Sequence, residues 1–210
     1  MLPRWLPRWL RFARSALVRC PADCGAQDPS PTFSDASFAR DQVSPDQARI
    51  ALALPALVGP STRLLHVGVG CSDLAVRFAG AVAHIDGVTV IAEEQATAAR
   101  CGLANYHVWM LNKHAPALAA LRGPYDLVVD NNPGSYACCR RHFRFTMERY
   151  AAVLAPGGRV VTDARGARWR QSGGISLAWT HWARLGNQLG LEPERITETV
   201  WALRKAGAAG

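Results

Sequence analysis

Two spacings of apolar residues alternate along most of the chain. Short apolar runs, typical of buried strands, are separated by longer stretches in which apolar residues recur at helical spacing. The short runs predict strands at residues 64–67, 87–94, 106–111, 125–130 and 159–162. The longer stretches predict helices at residues 44–57, 73–82, 95–101, 115–121, within 135–154, and at 176–189.

The last segment, residues 191–204, has room for two more strands, which we expect to pair antiparallel at one edge of a sheet. The pattern as a whole predicts an α/β fold: a doubly wound, mostly parallel, seven-stranded sheet with helices on both faces. Ligands of such sheets bind at the carboxyl ends of the strands. The candidate residues discussed below lie at those ends.

A glycine turn follows the strand predicted at residues 64–67. Gly68 and Gly70 can bring the backbone against a ligand, and Ser72 or Asp73 is placed to cap the next helix. A strand, a glycine turn and a helix start suit a nucleotide-type ligand. Two glycines after a buried strand are also common where nothing binds, so the assignment depends on the flanking chain.

The first 43 residues differ from this pattern, which divides the chain into residues 1–43 and a domain at 44–210. Residues 1–18 place leucines and tryptophans on one helical face, and arginines occupy much of the rest. We expect a basic amphipathic helical arm, followed by a linker or lid. The arm suits the headgroup layer of an anionic membrane, a groove on a partner, or packing on its own domain or on a second subunit of a homodimer. No apolar run is long enough to cross a bilayer.

The formal charge of +8 is concentrated in that arm, which holds five arginines before the first carboxylate. Without them the charge is about +3, so we expect no nucleic-acid partner. Six cysteines scattered through an α/β core, with no secretory signal, favour reduced thiols in a cytoplasmic protein, which the arm could hold at the inner membrane face. Two pairs, Cys20 with Cys24 and Cys139 with His142, have metal-like spacing, but neither has a second pair, and no metal is expected.

Three motifs resemble those of class I S-adenosylmethionine-dependent methyltransferases, over about residues 61–204. The segment from Leu65 to Ser72 resembles the glycine-rich first motif of that family. Glu93 is predicted to end the second strand, where a carboxylate can accept hydrogen bonds from both ribose hydroxyls. The Leu-x-Pro-Gly-Gly turn beginning at Leu154 resembles the turn before the fifth strand. The resemblance implies a Rossmann-like fold, S-adenosylmethionine as cofactor, and methyl transfer.

The first motif also departs from that family. His66 stands where the family usually has an acidic residue that holds the methionine ammonium group; a neutral imidazole could accept one such bond, and a protonated one would repel the group. Ser72 replaces a third glycine, and Asn112 replaces an acidic residue near the adenine. The resemblance implies cofactor-binding roles for His66, Gly68, Gly70, Ser72, Glu93, Asn112 and Asp130.

The segment after the fourth strand holds the candidate chemical site. Asn132-Pro133 with Tyr136 loosely resembles the Asn-Pro-Pro-Tyr loop of methyltransferases acting on amide or exocyclic amino nitrogens. The resemblance implies that Asn131 or Asn132 orients the acceptor and that Tyr136 shapes the pocket. The alternative is a turn in which these residues serve only the backbone. Residues 165–174, with two glycines, are predicted to form a mobile cover over the pocket.

We therefore expect methyl transfer from S-adenosylmethionine to a small-molecule acceptor, with nitrogen as the candidate atom. One alternative is another reaction of the same cofactor, such as aminopropyl transfer or cyclisation. The other is a non-catalytic binding or scaffold domain carried to a membrane or partner by the arm. His66 and Ser72 in the cofactor loop favour this last alternative.

Overall fold

A computed structural model describes residues 42–135, 137, 139–168 and 175–207. The predicted arm, nearly all of the linker, Tyr136 and residues 169–174 of the predicted cover lie outside these ranges.

Seven strands form one sheet in the order β3-β2-β1-β4-β5-β7-β6. Strands β1 to β5 pair in parallel, whereas β7 is antiparallel to both β5 and β6. The predicted seven-stranded sheet and its antiparallel edge pair are therefore confirmed. The strands are β1 Arg63–Val67, β2 His84–Thr89, β3 Tyr106–Met110, β4 Tyr125–Asp130, β5 Leu154–Asp163, β6 Leu191–Arg195 and β7 Val200–Lys205.

Five α-helices cover the sheet in the part of the chain that the structure describes. They are α1 Pro45–Ala53, α2 Asp73–Phe78, α3 Ala92–Arg100, α4 Arg140–Val153 and α5 Trp179–Gln188. Helix α1 begins as predicted, with Ser44 as N-cap and proline in the first turn. The helix predicted at residues 115–121 is a short 3-10 helix, Pro116–Ala120, because the segment soon reaches Gly123-Pro124, where a helix cannot continue.

Two clusters of buried side chains lie on opposite faces of the sheet. Leu65 and Val128 pack with Met147 of α4 on one face. Leu64 and Leu127, whose neighbours in the strands point the other way, pack with the residues of α1 and α2. Both faces of the sheet are therefore covered, and in such folds ligands bind at the carboxyl ends of the strands.

The boundary between β2 and α3 differs from the prediction. Strand β2 ends at Thr89 and α3 begins at Ala92, so Glu93 lies in the first turn of a helix and does not end the strand. The Thr89 hydroxyl accepts the N–H of Ile91 at 3.1 Å and donates to Glu94 Oε2 at 2.5 Å, which turns the chain out of the sheet. Carboxylates also favour the first turn of a helix, where the helix dipole is positive.

The predicted capping of α2 by the Ser72 side chain is also wrong. Ser72 occupies the N-cap position with φ of 62°, and its side chain makes no capping hydrogen bond. Its hydroxyl lies 3.1 Å from the Tyr106 hydroxyl. Asp73, the other candidate cap, is the first residue of the helix, and its carboxylate accepts from Arg77 Nε at 2.6 Å. Helix α2 therefore starts from a left-handed turn.

Candidate functional site

A cavity of about 490 Å³ opens at the carboxyl ends of the parallel strands. Its walls come from the segments that follow β1 to β5 and from the first turns of α1. This volume lies within the range that binds small molecules and cofactors. Its position agrees with the expectation for doubly wound sheets.

The glycine turn after β1 forms one wall of this cavity. Gly68 and Gly70 have φ values of 79° and 53°, in the left-handed region that favours glycine. Among the described residues, a Cβ atom on Gly68 would meet nothing within 4 Å, so backbone conformation, and not crowding, requires glycine there. The Gly68 N–H donates to Val88 O at 2.8 Å, which holds the turn against the end of β2.

Glu94 and Glu93, two adjacent acids of α3, have different surroundings. Glu94 lines the cavity and accepts a hydrogen bond from Thr89, whereas Glu93 is exposed and does not belong to the cavity wall. Glu94 is not among the residues predicted from the sequence, because the residue at which α3 begins decides which of the two acids faces the cavity. Thr89, five residues earlier, is the signal that could have identified it.

The segment after β3 contributes three consecutive polar residues to the wall: Asn112, Lys113 and His114. Asn112 is buried, and its Oδ1 accepts the N–H of His114 at 2.9 Å. Lys113 Nζ donates to both carboxylate oxygens of Asp130, at 3.2 and 3.0 Å, and to Asn132 O at 2.9 Å. The Lys113 cation is thus neutralised inside the protein.

Asp130, at the end of β4, is fully buried and lies behind the cavity wall. Besides Lys113, it accepts from the Tyr150 hydroxyl at 2.8 Å and from the Asn132 N–H at 3.1 Å. Burial and this carboxylate raise the pKa of Tyr150 well above its ordinary value, so the phenol stays protonated as a donor. These bonds make Asp130 an anchor for the loop that follows β4.

His114 connects the same loop to α4. Its ring nitrogens lie 2.7 Å from Thr146 Oγ1 and 3.0 Å from Ser135 O. Burial lowers the pKa of His114 to about 3, so the imidazole is neutral. Because a carbonyl oxygen can only accept, Nε2 carries the proton, and Nδ1 faces the Thr146 hydroxyl, which also lies 2.9 Å from Lys113 O and 3.0 Å from His142 O.

Asn131 and Asn132, the predicted acceptor-orienting residues, both line the cavity. Asn131 is 8% exposed, and its Oδ1 is buried without a hydrogen-bond partner in the described structure. Its backbone oxygen accepts from Thr162 Oγ1 at 3.0 Å, which ties the loop to β5. The structure thus brings Asn131 and Asn132 together with Gly68, Gly70 and Asn112 around one cavity.

His66 lies away from the cavity wall, as does Ser72. The imidazole is fully buried, and neither ring nitrogen has a partner among the described residues. Burial lowers the pKa of His66 to about 4, more than the charges of Asp130 and Asp73 raise it. His66 is therefore neutral near pH 7, and repulsion of an ammonium group by an imidazolium does not arise.

Helix α1 supplies residues that the sequence analysis did not connect with the site: Asp46, Gln47 and Arg49. Arg49 donates to both carboxylate oxygens of Asp163, at 2.8 and 2.7 Å. Burial raises the pKa of Asp163, but Arg49 and the N–H groups of Gly166 and Arg165 outweigh it, so this pKa lies below its ordinary value. The ion pair fixes α1 over the end of β5.

Within the described ranges, no group of three or more His, Cys, Asp and Glu side chains could hold a metal ion. Cys139 Sγ lies 3.5 Å from His142 Nδ1, the pair noted for its spacing. No helix in the same ranges is both long and apolar enough to cross a membrane.

Comparison with known proteins gives structural matches only. No protein-family model matches the chain, and no curated protein sequence does. The N-methyltransferase NodS from Bradyrhizobium japonicum WM9, solved with S-adenosylhomocysteine, has a TM-score of 0.60 at 16% identity, over 84% of this chain and 94% of NodS. The cyclase SpnF has a TM-score of 0.59 at 16% identity, over 77% of this chain and 82% of its own.

A third match is the magnesium protoporphyrin IX methyltransferase ChlM from Synechocystis PCC 6803, solved with bound S-adenosylmethionine. Its TM-score is 0.57 at 13% identity, over 76% of this chain and 77% of ChlM. Identities this low establish the fold alone. The sheet order, the antiparallel edge pair and these matches together show that the chain has the fold of the class I S-adenosylmethionine-dependent methyltransferases.

Proposed function

We propose that this chain binds S-adenosylmethionine in the cavity at the strand ends and transfers its methyl group to a small-molecule acceptor. One observation carries the proposal: the left-handed glycine turn, the Glu94 carboxylate and the Asn112 amide line a single cavity. NodS and ChlM, which share the fold, were solved with S-adenosylhomocysteine and S-adenosylmethionine, and this supports the choice of cofactor.

The residues of the cavity fit this cofactor. The backbone at Gly68 and Gly70 allows close approach, a carboxylate at Glu94 can accept from ribose hydroxyls, and the Asn112 amide can bond to adenine. Two buried amide atoms that have no partner among the described residues, Gln47 Nε2 and Asn131 Oδ1, belong to residues of the same wall. Unpaired buried polar atoms are costly, so a polar ligand that bonds to them would be stabilised.

The cofactor, when bound, supplies an activated methyl group on a sulfonium. The protein then needs chiefly to align the acceptor with that methyl group and to exclude water. Asn131 and Asn132 are the groups placed to orient an acceptor, and the Asn131 amide oxygen can accept from an N–H. We therefore propose nitrogen as the methylated atom, with Tyr136 retained as a predicted neighbour from the sequence.

The likeness to SpnF favours one second candidate, a ring-forming reaction in the same cavity. Formation of S-adenosylhomocysteine during turnover distinguishes methyl transfer from it. The cytoplasmic location, the contact of residues 1–18 with a membrane surface or partner, and a homodimer stay predictions from the sequence.

The cofactor is tested by calorimetric titration of the full chain with S-adenosylmethionine and S-adenosylhomocysteine. Two neighbouring substitutions, Glu94→Ala and Glu93→Ala, form a matched pair because both remove an acid from the first turn of α3. We expect Glu94→Ala to weaken binding by on the order of tenfold or more, through lost charged hydrogen bonds. Glu93→Ala should change it by less than about twofold.

Lack of binding of either compound by the unaltered chain would contradict the proposed cofactor. An equal effect of the two substitutions would contradict the place given to Glu94, even if the chain binds the cofactor.

A further inference from the structure

The sequence motifs supply no residue that binds the amino-acid end of the cofactor. Its α-carboxylate and α-ammonium groups carry opposite charges, and a site that buries them must offer a donor and an acceptor. His66 cannot contribute, because it is fully buried behind the wall and has no exposed surface. The complementary groups must therefore come from another element.

Gln47 offers the donor. This glutamine of α1 is 4% exposed, lines the cavity, and has an Nε2 amide without a partner among the residues described. Its Oε1 lies 3.8 Å from the position that a Cβ on Gly70 would occupy, so the side chain lies against the glycine turn. The amide is also in the first turn of a nine-residue helix, where the dipole favours an anion.

Asp46, the preceding residue, offers the acceptor. Its Oδ2 lies 3.1 Å from the position of a Cβ on Gly166, and the Asn131 backbone oxygen lies 2.0 Å from the same position. The Asp46 carboxylate and the Asn131 carbonyl therefore both lie close to Gly166, between α1 and the ends of β4 and β5. Both groups are hydrogen-bond acceptors, as an ammonium group requires.

Of the cations that line the cavity near this end, Arg49 and Lys113 are already paired, whereas Arg165 is exposed to solvent. Arg49 binds both oxygens of Asp163, and Lys113 binds both oxygens of Asp130. Within each pair the cation and the carboxylate neutralise one another, so neither pair offers much charge to a ligand. Asp46, half-buried, and Gln47, buried, are thus the groups shielded from solvent at this end that could recognise a zwitterion.

We propose that the first turn of α1 binds the amino-acid end of the cofactor, with Gln47 donating to its α-carboxylate and Asp46 accepting from its α-ammonium group, in place of the side chain at position 66 in β1. This inference rests on the proposed function. It moves recognition of that end from the central strand to a helix that precedes the glycine turn in the chain.

The test compares two probes by calorimetry at pH 7: S-adenosylhomocysteine, and 5′-methylthioadenosine, which has the same nucleoside but no amino-acid group. Gln47→Met keeps the length of the side chain and its helix propensity while removing the donor. Gln188→Met, the same change on an exposed position of α5, is the matched control. Asp46→Asn removes the charge at the second position, and His66→Leu tests β1.

We expect Gln47→Met and Asp46→Asn each to weaken S-adenosylhomocysteine binding by on the order of tenfold, and to change methylthioadenosine binding by less than about twofold. Gln188→Met and His66→Leu should leave the ratio of the two affinities unchanged. Unfolding midpoints equal to that of the unaltered chain would confirm that each variant is folded.

An equal loss of both probes in Gln47→Met, or no loss of either, would overturn the inference. A selective loss of S-adenosylhomocysteine in His66→Leu would overturn it as well, by returning the role to β1. If the unaltered chain binds methylthioadenosine but not S-adenosylhomocysteine, the nucleoside cavity stands and only this inference fails. If it binds none of methylthioadenosine, S-adenosylhomocysteine and S-adenosylmethionine, the proposed function itself is contradicted.

Discussion

His66 shows how a single residue can depart from its local pattern. The imidazole lies in the middle of a buried strand, and in the described structure neither of its nitrogens has a hydrogen-bond partner. A buried polar group without a partner costs roughly 1–3 kcal/mol, whereas an apolar group of similar size avoids that cost.

His66→Leu should therefore raise the free energy of unfolding, by about 1 kcal/mol at pH 7. Urea denaturation followed by circular dichroism would measure the change. His114→Leu is the matched control, because both nitrogens of that buried imidazole are bonded. It should lower the free energy of unfolding by about 1–3 kcal/mol. Destabilisation by His66→Leu would show that His66 has a partner after all.

Only part of the character of His66 could be predicted from the sequence. His66 could be identified in the sequence as unusual, because an imidazole interrupts an apolar run before a glycine turn. The neutral state of its imidazole and its position behind the cavity wall could not be predicted, because both depend on burial by helices that are distant in the chain.

Gly166 lies where three elements meet: α1, the loop after β4, and the turn after β5. A Cβ at this position would lie 2.0 Å from the Asn131 backbone oxygen. Because the atom it would meet is backbone, the loop that carries Asn131 would have to move.

Gly166→Ala should thus weaken S-adenosylhomocysteine binding and lower the free energy of unfolding by about 1–3 kcal/mol. Calorimetry and denaturant unfolding would measure the two effects. Gly80→Ala is the control, since a Cβ there meets nothing within 4 Å in the part of the chain that the structure describes; it should change the free energy of unfolding by less than about 0.5 kcal/mol. If both variants behave alike, the close approach at Gly166 has no role in the site.

Boundaries of elements were predictable where turn residues mark them. Strand β4 was predicted at its observed limits because Gly123-Pro124 precedes it and an Asn-Pro-Gly segment follows it. The start of α3 was not, because the apolar run continues from Val88 past the end of β2, and no glycine or proline interrupts it. Which of two adjacent acids faces the cavity depended on that boundary.

Three histidines make the stability of the whole molecule depend on pH: the buried His66 and His114, and His142, whose pKa burial and Arg141 also lower. The pKa of His66 is lowered to about 4 and that of His114 to about 3, in both cases chiefly by burial. Between these values and the ordinary pKa of 6.5 the unfolded chain binds protons that the folded chain does not. Stability is therefore complete above about pH 6.5 and falls as the pH decreases toward 4.

From pH 7 to pH 5, His66 and His114 should each lower the free energy of unfolding by about 2 kcal/mol. Urea midpoints at the two pH values would measure the loss. The Asp163 pKa, which lies below 3.8, has its effect at lower pH and does not confuse the comparison. His66→Leu should reduce the loss by about 2 kcal/mol, whereas Gln188→Met, on an exposed position with no titratable group, should leave it unchanged. An equal loss in all three proteins would contradict the assignment to His66.

The sequence by itself determined the order and type of the elements, the seven-stranded sheet with its antiparallel edge, and the glycine turn at the centre of the site. These features follow from local periodicity, because an element that buries one face has apolar residues at a regular spacing, and this spacing is visible in the sequence. Only the tertiary structure decided that Glu94 and not Glu93 lines the cavity, that Asp130 is bound by Lys113 and Tyr150, and that α1 closes the wall with Asp46 and Gln47. These features depend on contacts between residues far apart in the chain. The local spacing of residues does not predict which distant side chain a polar group will contact.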